Sequence, residues 1–337
     1  GANGVPADGV TAVVVNVMAT NATADSFLSV IPSGSRNPGT STLSFTAGQT
    51  VSNLVTVPVG PDGKILIANR AGDADVVVDM EGYYRSTPAS QDGTFLQTVQ
   101  PQRVADTRDG TGSVPQEPVG PNENLYVALG NRAPSPAAAV VLNVMVTNPT
   151  TDGSLTVYAD GAGTPPTASN LNYHAGQTVS NLVIVPLGEN KVVAFHNSAG
   201  DADVVVDVQG YFVGWPNGSD RTASFTPVAP SRLLDTRPHA TPIGPDGTLG
   251  LAVAGVGAVP AHAKSVVLNV TALNATAASS LTVFPSGDRP ATSNLTFGPG
   301  QTTQAQVIVP VGPDGKIDFY NRAGRVDVVA DVSGYFA

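Results

Sequence analysis

Arginines and carboxylates are scarce in this sequence, and the ones present recur at fixed places. Asp106 and Arg108 flank Thr107, Asp235 and Arg237 flank Thr236, and Arg103 and Arg232 precede each triplet by three positions. Residues two apart on a strand share a face. The arginine fork can satisfy a carboxylate and nearby carbonyls together. In an apolar setting such as Leu233-Leu234, the structural reading is a pair of ion pairs, Asp106 with Arg108 and Asp235 with Arg237, that pin a strand to its core. Arg103 and Arg232 are then expected on the opposite face. The functional alternative is a ligand anchor.

A second set of acids comprises Asp75 and Asp79, Asp203 and Asp207, Asp327 and Asp331. Four positions along a strand span about 13 Å, too far for two ligands on one ion. Asp73 and Asp201 add a D-x-D pattern in two places, where the third has Arg325. Calcium wants closely grouped oxygen ligands, so Asp73, Asp75, Asp201 and Asp203 are the candidate Ca²⁺ positions and no other cofactor is expected. The structural alternative has Asp79, Asp207 and Asp331 partnering the DTR arginines or capping turns.

Among the aromatics, Tyr158, Tyr173, Tyr211 and Trp215 are candidate ligand contacts, because an exposed ring can stack on a sugar. The bland alternatives are that the Gly-Tyr-Phe ends close a core and that Trp215, the single tryptophan, wedges between domains. The four histidines, His174, His196, His239 and His262, are not repeated and none pairs with another at ligand spacing. No GxSxG, HExxH or phosphate-binding glycine loop occurs. No catalytic residue is assigned, and the chain is expected not to be an enzyme. Asn16, Asn143 and Asn269 interrupt apolar runs. A buried asparagine must be hydrogen-bonded, so each is expected to bond a neighbouring loop.

These residues sit in a stretch written three times, over 12–84, 139–212 and 265–336, with a period near 126 residues. That is too long for a solenoid repeat and fits one domain per copy. The domains are expected at 1–85, 86–213 and 214–337. The first copy lacks the roughly forty residues that hold PQRVADTR or PSRLLDTR ahead of the other two. Gly1 therefore falls inside a repeat, as in a mature or trimmed form. Either each DTR segment completes the core that follows and the first core is short, or it completes the core before and the last is short. A sandwich lacking a strand exposes an edge that a neighbouring chain could fill by strand addition, giving head-to-tail self-association; the plainer alternative is that the fragment simply lost those forty residues.

Each copy reads as about six short strands between Gly/Pro turns, with the DTR segment and the apolar run after it making seven or eight. No segment keeps a 3.6-residue apolar period over three turns. The expected fold is all-β: tandem Greek-key β-sandwiches, Ig-like or jelly-roll.

Composition narrows the function classes. Of 337 residues, 36 are Gly, 28 are Pro and only 12% are charged, with a net charge of −10. An acidic chain without a basic patch is a poor match for nucleic acid and for anionic membranes. There is no cysteine, which removes disulfides and thiol chemistry. No 18-residue apolar run marks a membrane span.

The segments VVLNVxxxN, GxLTVY, SNLN, AGQTVSNLVxVPxG and DVVVDVxGYF, with RLLDTR upstream, resemble repeat modules of secreted actinobacterial surface proteins and of accessory regions beside hydrolases. The resemblance covers nearly the whole chain and departs at Ala305, where the other copies have Asn53 and Asn181. It implies an extracellular, cell-surface location and a non-catalytic role, and supplies no site residues. The expected function is binding or adhesion to a cell-wall glycan, polysaccharide or surface protein. The alternative is a structural spacer or a self-assembling surface protein with strand-exchanged repeats.

Overall fold

The computed structural model describes residues 5–35, 41–85, 94–161, 163–214 and 224–337. Its regular elements are 22 strands and one 3₁₀ turn, with no α-helix among the described residues. The chain divides into two compact units. One comprises 1–91, 222–289 and 295–337, and the other 92–221 with 290–294.

The second copy has eight strands: β7 (Thr94–Asp106), β8 (Glu123–Ala128), β9 (Ala137–Thr147), β10 (Gly153–Ala159), β11 (Leu171–Tyr173), β12 (Val179–Pro186), β13 (Val192–Asn197) and β14 (Asp203–Gly214). They form two antiparallel sheets, in the orders β12-β9-β14-β7 and β11-β10-β13-β8. One core joins the two sheets, with Val140, Leu142, Val144, Val204 and Val206 from one and Leu125, Leu155, Val193 and Phe195 from the other. The nearly unbroken Val/Leu runs of β9 and β14 are buried along most of their length. Burial on both faces is what such runs require.

The third copy repeats this plan with β15 (Phe225–Asp235), β16 (Gly247–Ala252), β17 (Ser265–Leu273), β18 (Ser279–Pro285), β19 (Leu295–Phe297), β20 (Thr303–Pro310), β21 (Lys316–Asn321) and β22 (Asp327–Phe336). Its sheets run β15-β22-β17-β20 and β16-β21-β18-β19. The DTR strands β7 and β15 pair with the last strand of the copy that follows them, β14 and β22. Each DTR segment therefore completes the core downstream of it.

The first copy has β1 (Val10–Thr20), β2 (Ser26–Pro32), β3 (Leu43–Phe45), β4 (Val51–Pro58), β5 (Ile65–Asn69) and β6 (Asp75–Arg85). Its sheets are β4-β1-β6 and β3-β2-β5. Each sheet is one strand short: among the described residues, no strand takes the place of β7 beside β6, or of β8 beside β5. The buried core here draws on β1 to β4, and β6 adds no member to it among the described residues. In the second copy, β14 supplies three buried valines to the core.

Turn chemistry differs in one place. The hairpins before β5 and β21 turn on Gly63 and Gly315, at φ of +72° and +78°. The middle copy has no glycine there, and Lys191 takes the left-handed conformation at φ +52°, which a side chain tolerates less readily.

Candidate functional site

The repeated charges converge on the edge between each DTR strand and its last strand. In the second copy, Arg103 donates from Nε to Asp207 Oδ1 at 2.9 Å, from Nη2 to Asp207 Oδ2 at 3.3 Å and from Nη1 to Asp106 Oδ2 at 3.1 Å. Arg108 donates to both oxygens of Asp106, at 2.8 and 2.7 Å. The third copy repeats the set with Arg232, Asp331, Asp235 and Arg237. The pairs Asp106–Arg108 and Asp235–Arg237 exist as expected from their spacing.

The placement of Arg103 and Arg232 on the opposite face is corrected. Arg103 sits opposite Asp207 and Ala105 opposite Val206, so the strand carries one extra residue there. A bulge of this kind breaks the period-two alternation, and brings a residue three positions away onto the face of Asp106. The third copy has the same register shift between Arg232 and Leu234.

The electrostatics follow from burial. Burial pushes Asp207 above the usual carboxylate range, against the hydrogen bonds and charge of Arg103. For Asp106, burial is outweighed by the bonds and charge of Arg108 and the charge of Arg103, and its carboxyl lies below the usual range. Hydrogen bonding from Arg237 draws the more accessible Asp235 down to about 2, against a smaller effect of burial.

The central threonine of the triplet also takes part, which sequence reasoning missed. Thr107 Oγ1 donates to Asp203 Oδ1 at 2.8 Å, and Asn148 Nδ2 donates to Asp203 Oδ2 at 3.0 Å. Thr236 and Asn274 do the same for Asp327. The signal available was that threonine stands in both triplets.

In the first copy these acids face no DTR strand among the described residues. Asn21 donates to Asp75 at 2.8 Å, and Asp79 makes no ion pair among the described residues. Burial pushes Asp79 up, and burial together with the charge of Asp79 pushes Glu81 up to about 7.

The candidate calcium residues are dispersed in role. Asp203 is buried and bonded as above, Asp75 is bonded by Asn21, and Asp73 and Asp201 are exposed and use their backbone groups to fix neighbouring turns. No group of three or more metal-ligating side chains occurs among the described residues. The candidate aromatics Tyr158, Tyr173 and Tyr211 are buried. The hydroxyl of Tyr158 reaches Asn124 at 3.2 Å, Tyr173 bonds Asn197, and Tyr211 belongs to the core. A ring enclosed in this way presents no face for a sugar. Trp215 lies outside the described residues.

Two of the repeated asparagines, Asn143 and Asn269, bond residues of another copy. Asn269 Nδ2 donates to Ser41 O at 2.8 Å, and Asn143 Nδ2 donates to Ser293 O at 2.7 Å. Ser41 and Ser293 hold the same position in their copies, two residues before β3 and β19. Beside Asn269, Gln304 Nε2 donates to Ser41 Oγ at 2.6 Å, and Asn53 Nδ2 donates to Asn269 Oδ1 at 2.9 Å. Beside Asn143, Ser180 Oγ donates to Asn294 O at 2.9 Å. A cavity of about 30 Å³ adjoins the first of these joints, lined by Thr42, Leu54, Thr56, Asn269 and Gln306 among others. It has room for a water and is far below the size of a small-molecule site.

No family model matches the chain, and no curated protein matches it. Among solved structures, the chain is similar to one described as the triple jelly roll fold and turret assembly in an archaeal virus, at 12% identity and a TM-score of 0.20, covering 98% of this chain and 81% of that one. It is also similar to the tandem CBM22-1–CBM22-2 domain of Paenibacillus barcinonensis Xyn10C, at 12% identity and a TM-score of 0.22, covering 74% and 99%. A third is the PBSX exported protein XepA, at 11% identity and a TM-score of 0.21, covering 69% and 85%. Likeness at scores this low identifies neither a function nor a ligand.

Proposed function

We propose that the chain is a non-catalytic structural repeat protein of the extracellular face, an array of jelly-roll sandwiches that presents whatever is attached to it. The observation that carries this reading is the asparagine joint. A residue shared by all three copies is used, in two of them, to bond the same serine carbonyl of another copy. The recurring acids and arginines of the second and third copies are likewise spent on closing their sandwiches. A glycan-binding array would instead need its recurring side chains open to solvent, and Tyr158, Tyr173 and Tyr211 are buried. The strand orders β7-β14-β9-β12 and β8-β13-β10-β11, with eight strands in two sheets, support the jelly-roll reading over an Ig-like one. The scarcity of charge and the motif resemblance support the extracellular placement.

The test replaces both Asn143 and Asn269 with alanine. Each substitution leaves a partly buried carbonyl short of its donor, at a cost of about 1 kcal/mol. A structural array then loses the cooperativity of its unfolding between copies, while its retention on insoluble peptidoglycan, cellulose, chitin or α-glucan stays at background. Retention of the native chain on one of these polymers, released by soluble fragments of the same polymer, would overturn the reading in favour of a binding array.

A further inference from the structure

The third copy departs from the other two on one strand. Where β4 reads Ser52-Asn53-Leu54 and β12 reads Ser180-Asn181-Leu182, β20 reads Gln304-Ala305-Gln306. β4 and β20 are edge strands of their sheets, and they pack against each other within one compact unit. No ladder joins them among the described residues. An edge strand presents backbone N–H groups that its own ladder does not use, and burying one without an acceptor is costly.

The two glutamines supply those acceptors. Gln306 Oε1 accepts from Thr56 N on β4, and Gln304 Oε1 accepts from Ser44 N on β3. In return, Asn53 Oδ1 accepts from Gln306 N at 3.0 Å, and Ser41 Oγ accepts from Gln304 Nε2 at 2.6 Å. Gln304, Gln306, Asn53 and Thr56 are all buried. Asn53 also donates from Nδ2 to Thr42 O within its own copy, as Asn181 does to Asn170 O. The bond from Gln306 N is what the joint adds. Serine and leucine could not replace the glutamines, because a serine side chain is too short to reach across and leucine has no acceptor.

We propose that Gln304 and Gln306 are the specificity determinants of the joint between the third copy and the first. A Gln-x-Gln edge strand takes as its neighbour a copy that offers outward amides on β3 and β4 and a buried asparagine between them, and a Ser-Asn-Leu strand in its place does not hold that neighbour. Neutral side-chain amides suit this task, since each carries both donor and acceptor and costs less to desolvate than a charge. Gln306 Nε2 and Thr56 Oγ1 have no protein partner and belong to residues lining the small cavity at this joint, which is large enough for one water. The proposal rests on the structural-array reading, and the two are separable: polymer retention tests that reading, whereas backbone amides of the first copy test the glutamines.

The test makes β20 match the other two strands, with Gln304→Ser, Ala305→Asn and Gln306→Leu in the whole chain. Amide-resolved hydrogen exchange should show Ser44 and Thr56 exchanging about tenfold faster, the loss of one hydrogen bond each. Amides of β17 and β22 should stay protected and so report a folded third copy. Single variants divide the effect. Gln306→Met, which keeps length and shape but offers only a weak acceptor, should speed Thr56 alone, and Gln304→Met should speed Ser44 alone. If the triple variant unfolds the third copy, these single variants carry the test. Unchanged exchange at Ser44 and Thr56 would overturn the proposal, as would methionine variants that act equally on both amides.

Discussion

Replacing Arg103 with alanine should destabilise the second copy by about 3–5 kcal/mol, the cost of leaving a buried charge uncompensated. The figure follows from the geometry. Asp207 and Asp106 are both buried. Asp106 keeps Arg108, whereas Asp207 receives two bonds from Arg103 and would lose the cation bonded to it. Such a loss is a large share of a domain's typical net stability of about 5–15 kcal/mol. Arg232→Ala should cost less, about 1–3 kcal/mol, because the side chain of Arg232 is 35% exposed against 26% for Arg103, so water screens more of the pair. Arg103→Lys should fall between, since it keeps the charge and loses the bidentate fork. Urea unfolding, resolved by copy through hydrogen exchange, measures each value. The pH dependence gives a second handle. Without Arg103 the Asp207 carboxyl rises further, so its protonation relieves the strain, and the deficit of the variant should narrow as pH falls through that raised value. A loss under about 1 kcal/mol at neutral pH, equal to that of an exposed arginine, would refute the reasoning and show that the cluster behaves as a surface ion pair.

The remaining predictions concern the other copies. Asp235, drawn down to about 2 by Arg237, stabilises the third copy fully above the usual carboxylate value of 3.8. That contribution, under about 2 kcal/mol once screening by water is allowed for, is lost as pH falls through about 2, and Asp235→Asn should flatten the acid limb in a pH series of thermal melts. Glu81 has the opposite sign. Its folded value of about 7 exceeds the usual 4.5, so the first copy loses stability as pH rises from about 4.5 to 7. Glu81→Gln should raise the melting temperature of that copy at pH 8 and leave it unchanged at pH 4; no difference at pH 8 would count against the shift. Gly210→Ala should cost at least about 1 kcal/mol through contact with β7, whereas Gly82→Ala should be neutral or stabilise by about 0.5 kcal/mol through the unfolded chain; differential scanning calorimetry separates the two.

Much of the architecture is legible in the sequence because it rests on local rules. The valine runs of β9 and β14, the glycine turns and the three-fold repetition define strands and their order along the chain. The pairing of Asp106 with Arg108 also follows from spacing alone. Other features depend on register. The bulge at Val104 moves Arg103 to the face of Asp106, and a bulge has no signature in a run such as QRVAD. Tyr158 and Tyr173 could be read as exposed rings, yet both are covered, and their hydroxyls find partners in Asn124 and Asn197. Which core a DTR segment completes is a long-range question, decided by pairing across about a hundred residues between β7 and β14. The asparagines could be read as bonded, but the partners of Asn143 and Asn269 belong to other copies, and sequence offers no distance between copies.

The asparagine joint also bears on how such a chain changes over generations. Each repeat encodes both sides of the contact, an asparagine on its central strand and a serine carbonyl before its short strand. Asn143 bonds the copy that follows it in the chain, whereas Asn269 bonds the first copy, so duplication or deletion of one complete repeat by unequal recombination would change which copies these contacts join. The phase of the exchange matters, because a breakpoint between a DTR segment and the core it completes creates an orphaned edge. Repeat number is thus tied to the contact that returns from the third copy to the first.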